Sequence, residues 1–147
     1  MLVLLDAGPL GLVTHPRATP ENDACSRWME SLLRGGWRVG IPEIADYEVR
    51  RELLRADKQE GLRRLDALKA AVEYLPITTQ AMREAAAFWA DARKRHRPTA
   101  DDKALDADMI LVAQALEAMD PEEVVIATSN VGHLARFAPA KVWWDIS

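Results

Sequence analysis

The chain has 147 residues, 49% hydrophobic and 29% charged, with a formal net charge of −4. That size and balance suit one globular domain spanning 1–147 and exclude a disordered chain. The acidic sign argues against a general polyanion binder, though not against local basic patches.

No apolar run approaches bilayer length, so no membrane association is expected. No basic stretch precedes the apolar N-terminal residues, so no signal peptide is expected either. Cys25 is the only cysteine, which permits no internal disulfide and suits a cytoplasmic protein.

In chain order, Leu2 to Leu5 form an apolar run that ends on Asp6, with Gly8 and Pro9 breaking the chain just beyond. Such a run suits a central parallel strand. A carboxylate at its end is costly unless something compensates its charge. Residues 21–33 read as a helix stopped by Gly35 and Gly36. Residues 37–41 read as a second strand, and Pro42 then suits the first turn of a helix running to about Ala56. Residues 61–71 read as another helix, with Leu62, Leu65 and Leu68 on one side.

Residues 74–78 form a candidate third strand, at an edge because of Pro76. Thr79 is a candidate cap for a helix over 81–95, which Pro98 ends. Thr99 and Asp102 have capping-box spacing for the next helix, to about Met119. Residues 124–127 form a second central-strand candidate and 142–144 a last strand. The alternation predicts a three-layer α/β/α fold with a parallel sheet.

In such sheets ligands bind beyond the carboxyl ends of the strands. Asp6 falls there, as does Thr128-Ser129-Asn130. In the helix around residues 105–119, Leu105, Met109, Val112, Leu116 and Met119 form a core stripe. At about 100° per residue, Asp108 lies roughly 60° from its centre and Asp106 roughly 100° away on the solvated flank. On the preceding 42–56 helix, Glu48 lies one turn past Ile44, with Arg51 and Arg55 following it, while Asp46 and Glu52 point elsewhere. Asp6, Glu48 and Asp108, with Asn130 as a polar fourth, are therefore candidates to converge. Clustered carboxylates repel unless they are protonated or hold a cation, and hard oxygen ligands suit Mg²⁺ or Mn²⁺.

Each residue has a structural alternative. Asp6 can cap a turn, Glu48 can pair with Arg51, Asp108 can sit near a helix's positive end, and Asn130 can cap a helix over 131–135. The run Arg93-Lys94-Arg95-His96-Arg97 closes a helix, where cations are favoured. Its alternative is phosphate contact, shared with Arg50, Arg51 and Arg55. His133 lies three residues past Asn130, near any bound substrate. Trp143 and Trp144 suit packing or an interface better than base stacking.

Four stretches together resemble the PIN-domain ribonucleases, in particular the VapC-type toxins of bacterial toxin–antitoxin pairs. VLLDAGPL resembles their first strand and acid, which falls on Asp6. IPEIADYEVRRELL resembles the second motif, with Glu48, and LDADMILVAQAL the third, with Asp108. IATSNVGHLARF resembles the fourth, with Thr128, Asn130 and Phe137. The resemblance implies a five-stranded parallel sheet, Mg²⁺- or Mn²⁺-dependent cleavage of single-stranded RNA, a homodimer and a cognate antitoxin. Asp6, Glu48 and Asp108 would be catalytic and, with Asn130, would hold the metal. Arg50, Arg51, Arg55, Arg95 and His133 would face RNA.

Two positions depart from the pattern. Asn130 stands where many members have Asp, and Ala7 and Gly8 stand where many carry a hydroxyl or amide. The competing reading is a non-catalytic PIN-like module that binds RNA or protein. A phosphatase of the receiver or haloacid type ranks lower, because it needs Asp-x-Asp and position 8 is glycine.

Overall fold

A computed structural model describes residues 1–95 and 102–147. Its elements run β1 (Leu2–Leu5), α1 (Ala7–Thr14), α2 (Pro20–Arg34), β2 (Arg38–Pro42), α3 (Glu43–Arg55) and α4 (Gln59–Ala71). There follow β3 (Glu73–Leu75), α5 (Thr79–Arg95), α6 (Asp102–Ala118), β4 (Val124–Thr128) and β5 (Ala140–Val142). The sheet order is β3-β2-β1-β4-β5 and every pairing is parallel. The predicted three-layer, five-stranded architecture is therefore the observed one.

The apolar strands alternate between two cores. Leu2 and Leu4 pack with Leu105, Met109 and Val112 of α6 and with the alanines of α5. Val3 and Leu5 pack on the other face with Leu10, Cys25, Met29 and Leu65 from α1, α2 and α4. All four β1 residues are buried, as a central parallel strand requires. β1 pairs with β2 on one side and with β4 on the other. Successive connections therefore diverge at β1, and a crevice opens between the carboxyl ends of β1 and β4.

Several boundaries differ from the sequence reading. Gly8 and Pro9 do not break the chain; they lie in the first turn of α1, whose N-cap is Asp6. Proline is tolerated there because a first-turn N–H has no intrahelical acceptor anyway. α5 begins at Thr79, and it is the Thr78 hydroxyl that accepts from the Ala81 N–H at 3.0 Å. β3 is an edge strand but stops at Leu75, before Pro76.

β5 lies at Ala140–Val142, not 142–144. Trp143 instead turns inward onto Trp28, with ring centroids 5.6 Å apart, and leaves Trp144 exposed. No α-helix covers 131–135; a 3₁₀ turn at Leu134–Arg136 follows Gly132, whose φ of +48° interrupts the path. Asn130 is therefore not a helix cap. Of the capping box at 99–102, residues 99–101 lie outside the described residues, as do His96 and Arg97.

Candidate carboxylate site

β1 is apolar to its last residue, and the chain leaves it through Asp6. The Asp6 N–H still donates to the Ala127 carbonyl of β4 at 2.9 Å, so the sheet itself fixes this residue. Asp6 Oδ1 accepts from the Ala7 N–H at 2.7 Å, which starts α1. Asp6 Oδ2 accepts from the Thr128 hydroxyl at 2.7 Å, across 122 positions of sequence. The Thr128 hydroxyl in turn accepts from the Asn130 N–H at 3.2 Å, a turn that shapes the loop after β4. The structural alternative for Asp6 is thus correct as far as it goes. It caps a helix, yet its carboxylate also lies in the crevice, at the switch of strand order.

Glu48 stands on the second turn of α3 and Asp108 on the second turn of α6. Both are half-buried, whereas Asp106 is exposed, as the angular reading predicts. Burial raises the Asp6 pKa above the ordinary carboxylate value, and the Thr128 and Ala7 hydrogen bonds partly offset this. Burial pushes Glu48 up to about 7; the charges of Asp6 and Asp108 add to this, and Arg51 opposes it. Burial, then the charge of Asp6, pushes Asp108 up to about 6. Three carboxyls from β1, α3 and α6 therefore feel one another's charge.

The only cation shown at this cluster among the described residues is Arg51, with its Nη2 4.0 Å from Glu48 Oε2. Half of the Arg51 side chain is exposed, so this pair compensates little. As they stand, no three His, Cys, Asp or Glu side chains among the described residues lie close enough together to hold a metal ion. The donor set is nevertheless the right one for a hard divalent cation: half-buried, oxygen-only, mutually repelling and under-neutralised. A cation there would pull the three together and remove the repulsion. Asn130, two residues past Thr128, is exposed and offers an amide oxygen without charge.

The expected RNA-facing residues are placed differently from one another. Arg50 bridges Asp46, at 3.0 Å, and Asp66, at 2.7 Å, and so fastens α3 to α4. Arg51 lies over the Tyr47 ring, 5.2 Å from its centroid, beside Glu48. Arg55 pairs with Glu52 at 2.8 Å on the rim of a groove of about 760 Å³ between α1 and α3. Glu48 lies at that groove too, and its walls are mostly apolar, from Leu12, Val49 and Leu53. Arg95 pairs with Asp91 at 2.7 Å on the last turn of α5. His133, on the loop beyond Asn130, has its Nδ1 3.3 Å from Arg136 Nη1.

Two participants carry no sequence signal that reveals their part. Thr128 is a motif residue without a role in the sequence pattern, and the structure makes it the partner of Asp6. Ser129 is an ordinary loop residue in the sequence, yet its side chain lies directly over Gly8.

A family profile for the PIN domain matches residues 3–133. No curated protein matches the chain by sequence. Among solved structures the fold is similar to VapBC2 from Rickettsia felis bound to a promoter DNA fragment. That match has TM-score 0.72 and 13% identity, over 97% of this chain and 99% of that one. It is also similar to FitAcB from Neisseria gonorrhoeae, with TM-score 0.69 and 18% identity over 98% and 99%. VapBC-1 from nontypeable Haemophilus influenzae gives TM-score 0.66 and 16% identity over 98% and 99%.

Proposed function

This chain belongs to the PIN domain family, and from that premise we propose that it is a Mg²⁺- or Mn²⁺-dependent endoribonuclease acting on single-stranded RNA. The observation that carries the reading is Asp6 held by Thr128 at the carboxyl ends of β1 and β4, with the half-buried Glu48 and Asp108 near enough to be raised by its charge. A bound cation would lower the pKa of a water and offset the charge developing on the phosphoryl group.

The chain's own groups do the rest. Asp6, Glu48 and Asp108 would hold the cation, with the Asn130 amide oxygen assisting. The Thr128 hydroxyl fixes which way the Asp6 carboxylate faces, as partners behind a ligand commonly do. Because Glu48 and Asp108 are pushed up to about 7 and about 6, cation binding must displace protons from them below neutral pH. Cleavage is therefore expected to fall away as pH drops through that range. Arg51, Arg55, Arg95 and His133 are the side chains proposed to meet the RNA backbone.

The reading extends to partners. The similarity to structures named VapBC, and the VapC-like motifs, support a toxin role with an antitoxin as partner; a homodimeric toxin is proposed from the motif resemblance alone. The apolar groove that ends at Glu48 is the surface proposed for that antitoxin. Co-expression with the product of the adjacent reading frame tests this: a stable complex that suppresses cleavage is expected, and free, uninhibited protein contradicts it.

The competing reading, a non-catalytic binding module, rests on the neutral Asn130 and on carboxylates that stand too far apart to share one ion as they are. One assay separates the two. Single-stranded RNA incubated with the purified chain and Mg²⁺ should be cut, should survive in EDTA, and should survive Asp6→Asn with the fold unchanged by circular dichroism. Uncut RNA with wild type, or undiminished cutting by Asp6→Asn, overturns the nuclease assignment.

A further inference from the structure

Gly8 lies in the first turn of α1, two residues past Asp6, and is exposed. A Cβ built on it would stand 2.4 Å from Ser129 Oγ and 3.0 Å from Ser129 Cβ. The space that any side chain at position 8 would take is therefore filled by the side chain of Ser129, reaching across from the end of β4. Ser129 directly follows Thr128, which holds Asp6. Its hydroxyl has no hydrogen-bond partner among the described residues, and the residue is exposed. A hydroxyl seated over Gly8, two residues past Asp6 and next to the threonine that holds Asp6, is open to solvent where a ligand can meet it. Among neighbouring groups, Asp6, Glu48 and Asp108 are acceptors when ionised, and Asp6 is already met by Thr128 and Ala7.

We infer that Ser129 is a substrate-contacting residue whose hydroxyl, seated over Gly8, donates to a non-bridging oxygen of the RNA phosphate at this site. The inference rests on the nuclease reading and deepens it. It also gives Gly8 a purpose that backbone geometry does not, since its φ is not positive among the described residues. Position 8 is glycine so that the hydroxyl can come from position 129. Removing a donor to a charged acceptor costs roughly 1.5–3 kcal/mol, which as a rate is on the order of 10- to 100-fold in kcat/KM.

The test uses six variants of the full chain, scored for kcat/KM on single-stranded RNA and for the rise in Tm caused by Mn²⁺ alone. Ser129→Ala should lose roughly tenfold or more in kcat/KM and keep the Mn²⁺-induced rise, because the carboxylates are untouched. Ser129→Thr should recover most of the loss. Gly8→Ala should lose as much as Ser129→Ala, because the new methyl expels the hydroxyl from its seat. The double variant Gly8→Ser, Ser129→Gly, which returns a hydroxyl from the opposite side, should exceed Ser129→Gly alone.

Wild-type cleavage with Ser129→Ala equally active overturns the inference and leaves the nuclease reading intact. Ser129→Ala and Gly8→Ala losses that multiply in the combined variant also overturn it, because the two residues then act separately. Absence of cleavage by wild type removes the nuclease reading itself.

Discussion

Glu48 shows most plainly the conflict between folding and binding. Its side chain is three-quarters covered, it faces two other carboxyls, and its only cationic neighbour among the described residues is distant and solvated. An acid whose pKa is raised in the folded chain binds protons more tightly there than in the unfolded chain. Its contribution to stability is then greatest below the unfolded value near 4.5 and is lost as pH rises toward about 7. Asp108 acts in the same direction between about 4 and about 6. The cation-free protein should therefore lose Tm between pH 5 and pH 7 and level off above that, and a flat or rising profile across that window contradicts the assignment. Glu48→Gln removes the charge while keeping the shape. It should raise the cation-free Tm at pH 8 by roughly 2–4 °C, the effect of about 1 kcal/mol in a domain of this size. The same variant should lose most of the Mg²⁺-dependent cleavage.

At the scale of elements, α3 carries both the site and its anchorage. Its outer turns face solvent, yet Asp46 is nearly buried and receives Arg50, which also reaches Asp66 of α4. The Tyr74 hydroxyl of β3 lies 3.2 Å from Asp46 Oδ2 and from Glu43 Oε2. Removing the guanidinium leaves Asp46 buried without its cation, a costly change. Arg50→Ala should destabilise by roughly 2–3 kcal/mol in urea melts. Arg55→Ala, which breaks a solvated pair, should cost under about 0.5 kcal/mol. Equal, small losses for the two would show that α3 is not anchored this way.

Helix faces are legible in the sequence because the 3.6-residue stripe of Leu105, Met109 and Val112 fixes where Asp108 points. Helix ends are less so. Thr78 and Thr79 are equivalent as letters, and only the chain's exit from β3 selects the first as cap. Gly8-Pro9 carries a breaker signal that the first turn of a helix tolerates. Trp143 matches a strand pattern, but packing on Trp28 claims it.

For the whole molecule, the sheet order does what no local pattern expresses. It sets β1 against β4, and so makes Asp6 and Thr128 hydrogen-bond neighbours despite a sequence separation of 122. The acids themselves are readable, because a carboxylate closing a buried strand needs a reason. The partners that orient or flank them are not: Thr128 and Ser129 acquire roles only through contact with residues at the other end of the chain.

Three elements bring acids within reach of one another's charge, and the central proposal is that a divalent ion joins them. The most direct measurement is the melting temperature of wild type, Asp6→Asn and Asp108→Asn against Mn²⁺ concentration at pH 8 and pH 5.5. A ligand that binds only the folded state must raise Tm with concentration. Wild type should rise at pH 8, rise much less at pH 5.5, and both variants should stay nearly flat. A wild-type Tm unmoved by millimolar Mn²⁺ at pH 8, or a rise that persists in both variants, would contradict the shared cation.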